Sequence, residues 1–299
     1  MATPFVPKQA IPFDGALLQE LQGNVSDNIA LDLLKDLPAL SSSSVIHDNG
    51  CGYGAVTMAV MASKPPKGIH IHATDINPMF MAQLQAKLAE NTDWPVEVRE
   101  NMACAYFHCQ LLMIGKTENM DACALTFPDN IFDLSMTTFV FSGLEDDVAA
   151  ASQIRRTLKP GGTGVIAVWK EMAWHTALEN AHHKTRGADE PMAPFLSKTW
   201  YKKEKVQQVT RDAGWADADI EFVEKAAWLD LGEDLKRWVT LAWSFLAMPV
   251  GGWKQRDEDK WDEAIDSIVQ ELRQGPLKVE DGVHKIRMIA DVSLMKKPE

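Results

Sequence analysis

The spacing of apolar and polar positions divides the chain into short buried runs separated by amphipathic stretches. Residues 16–34 place Leu17, Leu18, Leu21, Ile29, Leu31 and Leu34 at helical intervals, which predicts one or two amphipathic helices. A serine run at 41–44 reads as a loop. A strand at 45–47 follows, then a glycine-rich turn and an apolar helix at about 55–62. Further strands are predicted at 69–74, 96–100, 132–139 and 165–169, with helices at 78–90 and 146–158. The last of these helices should stop at Lys159-Pro160-Gly161-Gly162, since proline and glycine both break it.

Beyond Trp169 the periodicity loosens. It still predicts a helix at 199–214 ended by Gly214, a strand at 220–229, helices at 233–246 and 261–272, and a last strand at 283–294. In the helix at 233–246, Leu235, Trp238, Val239, Ala242 and Phe245 share one face. Strands alternating with helices imply an α/β fold, with a parallel sheet covered on both faces. The two helices between the last two strands read as a helical cap. There is no internal repeat.

Composition narrows the class. Of 299 residues, 46% are apolar and 24% charged, enough to bury a full core. A formal net charge of −12 argues against a nucleic-acid partner, which needs a basic surface, and against an anionic membrane. The four cysteines make no CxxC pair and no zinc-type spacing, so no metal is expected and free thiols in a reducing compartment are. Residues 1–10 lack an apolar core of signal-peptide length, and no run approaches 18 apolar residues, so the expectation is a cytoplasmic protein. The ten tryptophans read either as packing residues or as the lining of a pocket for a flat apolar ligand.

The main chemical signal is Asp48-Asn49-Gly50-Cys51-Gly52-Tyr53-Gly54, an acid at a strand end and then glycines at every second position before a helix. Open α/β sheets bind ligands at the carboxyl ends of their strands, where glycine lets the backbone approach closely. The GxGxG spacing differs from the GxGxxG of dinucleotide sites, which disfavours a nicotinamide oxidoreductase. The motif resembles motif I of the class I S-adenosylmethionine (SAM)-dependent methyltransferases. Three later segments extend the resemblance: Thr74-Asp75-Ile76-Asn77-Pro78, Asp121-Ala122 through Pro128-Asp129 to Phe132-Asp133, and Leu158-Lys159-Pro160-Gly161-Gly162.

The resemblance implies a Rossmann-like, mostly parallel seven-stranded sheet with helices on both faces and a helical cap inserted between the last two strands. It implies a single methyltransferase domain over 1–299: lid helices at 1–40, a SAM-binding core at 41–230 and 280–299, and a substrate cap at 231–279. It also implies SAM as cofactor, with S-adenosylhomocysteine as product. Asp48, Gly50, Gly52, Asp75, Ile76, Asp121, Ala122 and Phe139 are then the cofactor-binding residues. Asp75 would accept both ribose hydroxyls, or cap the next helix, or both. Asp121 would accept from the adenine amine and the Ala122 amide would donate to a ring nitrogen. Segments 48–56 and 168–174 look most like fungal tailoring methyltransferases of secondary metabolism, the gliotoxin and roquefortine-type group.

The expected reaction is metal-independent methylation of a small, polycyclic aromatic metabolite, most simply at a hydroxyl oxygen. Transfer to sulfur or nitrogen, or a SAM-binding pericyclase that does not methylate, are the alternatives. A hydroxyl acceptor needs a positioned base. Glu20 and His175 are the candidates, Trp174, Trp238 and Trp243 the candidate substrate contacts, and His47 reads as a packed strand residue. Gly143 and Leu144 stand where the family often has two histidines, which removes a base from that loop. No nucleic-acid or membrane partner is expected, and a homodimer is left open. Residues 101–118 interrupt the family pattern between the third strand and Asp121, and their flanks echo each other, Glu100-Asn101-Met102 against Glu118-Asn119-Met120. They read as a graft on a complete fold or as an ordinary long connection.

Overall fold

Residues Val45–Asn49 form β1, and four of its five side chains are buried. In a sheet covered on both faces, a central strand has no solvent side, so it reads as a continuous rather than an alternating buried run. The structure, a computed structural model, describes residues 4–100, 120–196 and 202–299. Its other strands are β2 (His70–Asp75), β3 (Val96–Glu100), β4 (Phe132–Thr138), β5 (Leu158–Met172), β6 (Ile220–Gly232), β7 (Lys278–Glu280) and β8 (Val283–Lys296). They form one sheet of order β3-β2-β1-β4-β5-β8-β6, with β7 paired to β8. The pairs β1–β2, β1–β4, β2–β3 and β4–β5 are parallel. Reversal of the strand order beside β1 puts the turn after β1 at a topological switch point, where such sheets bind ligands. The α/β, mostly parallel Rossmann-like architecture stands as expected, with eight strands among the described residues instead of seven.

The eighth strand is β7, three exposed residues joined to β8 by Asp281 and Gly282. Both turn residues have positive φ, 51° and 82°, the geometry of a two-residue hairpin turn whose twist matches the strands. Strand β5 is also longer than predicted. Lys159-Pro160-Gly161-Gly162 ends α5 (Asp147–Thr157) as expected, yet it continues as extended backbone within β5. Gly161 N–H donates to the Lys297 carbonyl at 2.9 Å, and the β4–β5 register shifts between Phe132 and Leu134 to absorb the irregularity.

The chain divides into two compact units. One comprises Ser26–Lys170, Trp200–Lys225 and Ala290–Glu299. It holds α2 (Val25–Leu33), α3 (Ala55–Ala62), α4 (Pro78–Glu90), α5 and α7 (Lys203–Asp212). Its core includes Phe132, Ile154, Leu158, Ile166 and Trp215, with a second cluster of Cys51, Ala73, Met81 and Leu84. The expectation that His47 is a packed strand residue fits here: its ring stacks on Phe132 at 4.6 Å, and Nε2 lies 2.9 Å from Thr74 Oγ1. Residues 101–118, read above as a graft or a long connection, lie outside the described residues.

The other unit comprises Met1–Val25, Glu171–Thr199 and Ala226–Ile289. Its helices are α1 (Gly15–Gln22), α6 (His175–Arg186), α8 (Leu235–Leu246), α9 (Gln255–Asp259) and α10 (Trp261–Gln274), and it also holds β7 and parts of β6 and β8. Helix α6 packs on α9 and α10, and α8 packs on α1 and α10. The periodicity missed α6 because its buried face mixes Ala177, Leu178 and Ala181 with His175, His182, Thr185 and Arg186. Among the described residues no helix is long and apolar enough to cross a membrane.

Candidate functional site

The site is built from the carboxyl ends of β1, β2 and β4. Asp48, the fourth residue of β1, is buried and holds the start of α3: its Oδ2 accepts from the Thr57 N–H at 2.9 Å and the Thr57 hydroxyl at 2.7 Å. Burial pushes its carboxyl up to about 6; the nearby Asp75 charge adds to the shift, while the two bonds from Thr57 oppose it. Gly50 and Gly52 then take φ of 70° and 50°, a region that side chains disfavour. A Cβ on Gly50 would lie 2.5 Å from Val140 Cγ2, so close packing also demands glycine there. A Cβ on Gly52 would meet nothing within 4 Å, so that side of the turn is open to a ligand.

Asp75 closes the turn from β2. Its Oδ2 accepts from the Gly52 N–H and its Oδ1 from the Asn77 N–H, both at 2.8 Å. Asp75 therefore caps the next turn and grips the glycine turn together. Burial raises its pKa, and the amide bonds from Asn77, Gly52 and Ile76 oppose that rise. Ile76 beside it is 52% exposed, an isoleucine offered to solvent at the strand end. Of the carboxylate's roughly four acceptor positions, the three amides occupy three, so one is left to receive a further donor.

The segment from Met120 docks on this edge, the Met120 N–H donating to the Asp75 carbonyl at 3.3 Å. Asp121 Oδ1 accepts from the Cys123 N–H at 2.8 Å, which forms a tight Asx turn and leaves Oδ2 for another donor. Ala122 is buried in the adjoining core. Arg156 of α5 fixes the segment from below, donating to the Leu125 and Phe127 carbonyls at 2.8 and 2.7 Å. Phe139, just past β4, has φ of 62°, uncommon for a bulky residue. Its N–H donates to the Ala167 carbonyl at 2.8 Å, and its ring stacks on Trp169 at 3.8 Å and 10°. Strained backbone that is held by such contacts gathers at ligand sites. Trp169, expected at the end of a strand and as a packing or pocket residue, gains this contact from a neighbour thirty positions away.

These residues fit a SAM nucleoside: an open glycine turn, a carboxylate with acceptor capacity left, and a second carboxylate at the next strand edge. The remaining candidates lie in the helical unit. Glu20 accepts a two-pronged pair from Arg237, Nε to Oε1 at 2.7 Å and Nη2 to Oε2 at 2.8 Å, and Arg237 holds its carboxyl below the usual range. His175 is buried at the start of α6, Nε2 2.9 Å from the Leu196 carbonyl and Nδ1 3.7 Å from Glu179. Trp174, Trp238 and Trp243 are buried; Trp238 donates to the Leu21 carbonyl at 3.2 Å, and Arg186 lies over Trp243 at 4.6 Å.

Comparison with known proteins agrees with this geometry. Residues 47–166 match the family model described as a methyltransferase domain. The methyltransferase ktnA of Aspergillus niger is 22% identical over 194 residues, covering 60% of this chain and 62% of that protein. The methyltransferase tpcH of Aspergillus fumigatus is 24% identical over 179 residues, covering 57% and 61%. This chain thus spans about three fifths of the length of the curated relatives it matches. Among solved structures, a protein of Bacillus halodurans assigned as a methyltransferase superposes with TM-score 0.54 at 14% identity, over 90% of this chain and 99% of that one. The YcgJ protein of Bacillus subtilis gives 0.52 at 12%, over 90% and 98%. These two share the fold. Residues 47–166 thus match a methyltransferase domain, set in a fold shared with these two proteins.

Proposed function

We propose that this protein methylates a small aromatic metabolite of secondary metabolism at a hydroxyl oxygen, using SAM. The observation that carries the reading is the Asp75 carboxylate joined to the open Gly52 turn at the switch point of the sheet. Support comes from the family match over the same residues and from the two fungal relatives, which are themselves named as methyltransferases. When bound, SAM supplies an electrophilic methyl group on a sulfonium.

The residues of this chain do the holding. Asp75 receives the ribose hydroxyls through its remaining acceptor capacity, which one of them fills and the other shares. Asp121 and Ala122 receive the adenine edge, and Ile76 covers a face of the ring. Gly50 and Gly52 let the main chain approach the methionine end, with Asp48 fixing the turn from beneath. Phe139 completes the wall. Holding the acceptor in line at close range is the largest contribution such a site makes to transfer.

A hydroxyl acceptor also has to lose its proton. His175 suits this better than Glu20, because a carboxylate locked to Arg237 has a depressed proton affinity. Trp174, Trp238 and Trp243 are the aromatic contacts proposed for the acceptor. No nucleic-acid or membrane partner is part of this reading. The test is incubation with SAM and a panel of phenols, enols and N-hydroxyindoles, following S-adenosylhomocysteine and the methylated product. Product carrying the methyl on oxygen is expected. A panel product formed without S-adenosylhomocysteine would replace this reading with the cyclase.

A further inference from the structure

At the opposite end of β2 from Asp75, three potential metal ligands converge. His70 and His72 are two residues apart on one strand, so their side chains leave the same face of the sheet. Glu97 of β3 lies opposite His72 in the parallel register. Residues 70 and 97 are far apart in sequence, and only the strand pairing joins them. The ligand atoms of all three lie within 4.8 Å of one another.

One carboxylate oxygen serves both rings. Glu97 Oε2 is 3.3 Å from His70 Nε2 and 3.4 Å from His72 Nδ1. The His70 contact is a hydrogen bond, longer than the roughly 2.7–2.9 Å of a strong charge-assisted one. Both separations also match the edge of a tetrahedron of zinc ligands, about 3.3–3.5 Å for bonds of about 2.0–2.1 Å. The His72 ring stands edge-on to Phe127 at 5.2 Å and to Phe132 at 5.7 Å, which fixes its plane. The side chains of His70 and Glu97 are 46% and 42% exposed, so an ion could enter and keep a water in its fourth position.

We infer that His70, His72 and Glu97 form a binding site for a divalent transition-metal ion such as Zn²⁺. Two imidazoles and one carboxylate select a borderline ion of this kind over Mg²⁺ or Ca²⁺, which prefer oxygen ligands. Five strand steps of about 3.3 Å separate His70 from Asp75, so this site is distinct from the cofactor edge. Its effect would be structural: it ties β3, which ends the sheet, to β2. Binding to the folded chain alone must raise thermal stability by mass action.

The test uses the whole chain without added histidines, freed of metal, titrated with Co²⁺ as a chromophoric probe and then with Zn²⁺. One equivalent of Co²⁺ with visible d–d bands, displaced by Zn²⁺, is expected, together with a rise in Tm in Zn²⁺ but not in Mg²⁺. His70→Ala and Glu97→Gln should each weaken Co²⁺ affinity at least tenfold, and the double variant should lose the bands. Both side chains are half-exposed, so circular dichroism should show both variants folded. If one is not, the other alone decides. Absence of a Co²⁺ spectrum in the parent, or an unchanged spectrum and stoichiometry in a folded variant, overturns the inference.

Discussion

Asp75 Oδ2 accepts the Gly52 N–H at 2.8 Å, so one carboxylate joins the glycine turn after β1 to the acidic end of β2. The two motifs lie 23 residues apart and are independent in sequence. In the fold they are one device, and the device has consequences that can be measured.

Asp75→Ala should lower affinity for S-adenosylhomocysteine about tenfold to a hundredfold, since hydrogen bonds to charged groups contribute roughly 1.5–3 kcal/mol. Calorimetry on parent and variant reads this directly. Unchanged affinity would remove Asp75 from the ribose contact.

Gly50→Ala should be among the most damaging small substitutions in the chain. The new Cβ meets Val140 at 2.5 Å, and φ of 70° adds about 1–2 kcal/mol of backbone strain. Adding Val140→Ala should restore part of the stability, because it relieves the clash and leaves the strain. Urea midpoints of the single and double variants separate the two contributions.

Asp48 predicts a pH dependence. Its folded pKa, about 6, lies above its ordinary 3.8, so the folded state binds the proton more tightly. The stabilisation is therefore complete below about pH 3.8 and is lost as pH rises through about 6. The amplitude is at most about 3 kcal/mol. Asp48→Asn keeps an acceptor for Thr57 and cannot ionise. Its stability relative to the parent should improve from pH 4 to pH 7, read by urea unfolding. A constant difference between the two proteins across that range would refute the assignment.

Arg186 and Asp257 form a buried ion pair in the helical unit, Nε to Oδ1 at 2.7 Å, with both side chains at most 1% exposed. Arg186 also donates to the Ala247 carbonyl and lies between Trp243 and Trp253 at 4.6 and 5.2 Å. Asp257→Ala would strand the guanidinium and should cost about 3–5 kcal/mol. Asp257→Asn, which can still accept, should cost less. Tryptophan fluorescence during denaturation follows both.

The local pattern along the chain determined the order of strands and helices, the parallel sheet, the glycine turn and the acids at its edge. Each of these depends on residues adjacent in sequence: apolar runs make buried strands, and alternate glycines permit the turn. Helix α6 escaped that reading because its buried face is half polar, and those groups are buried only because partners such as Asp257 and the Leu196 carbonyl come from elsewhere in the chain. The length of β5 was hidden for a similar reason: a Pro-Gly-Gly run breaks a helix locally, and pairing with Lys297 on one side and β4 on the other draws it into a strand. The left-handed Phe139 on Trp169, the Asp75–Gly52 bond and the meeting of His70 and His72 with Glu97 were likewise decided by tertiary structure. Sequence sets what each residue can do; which residues stand within bonding distance depends on strand register, and register is set by the packing of the whole sheet.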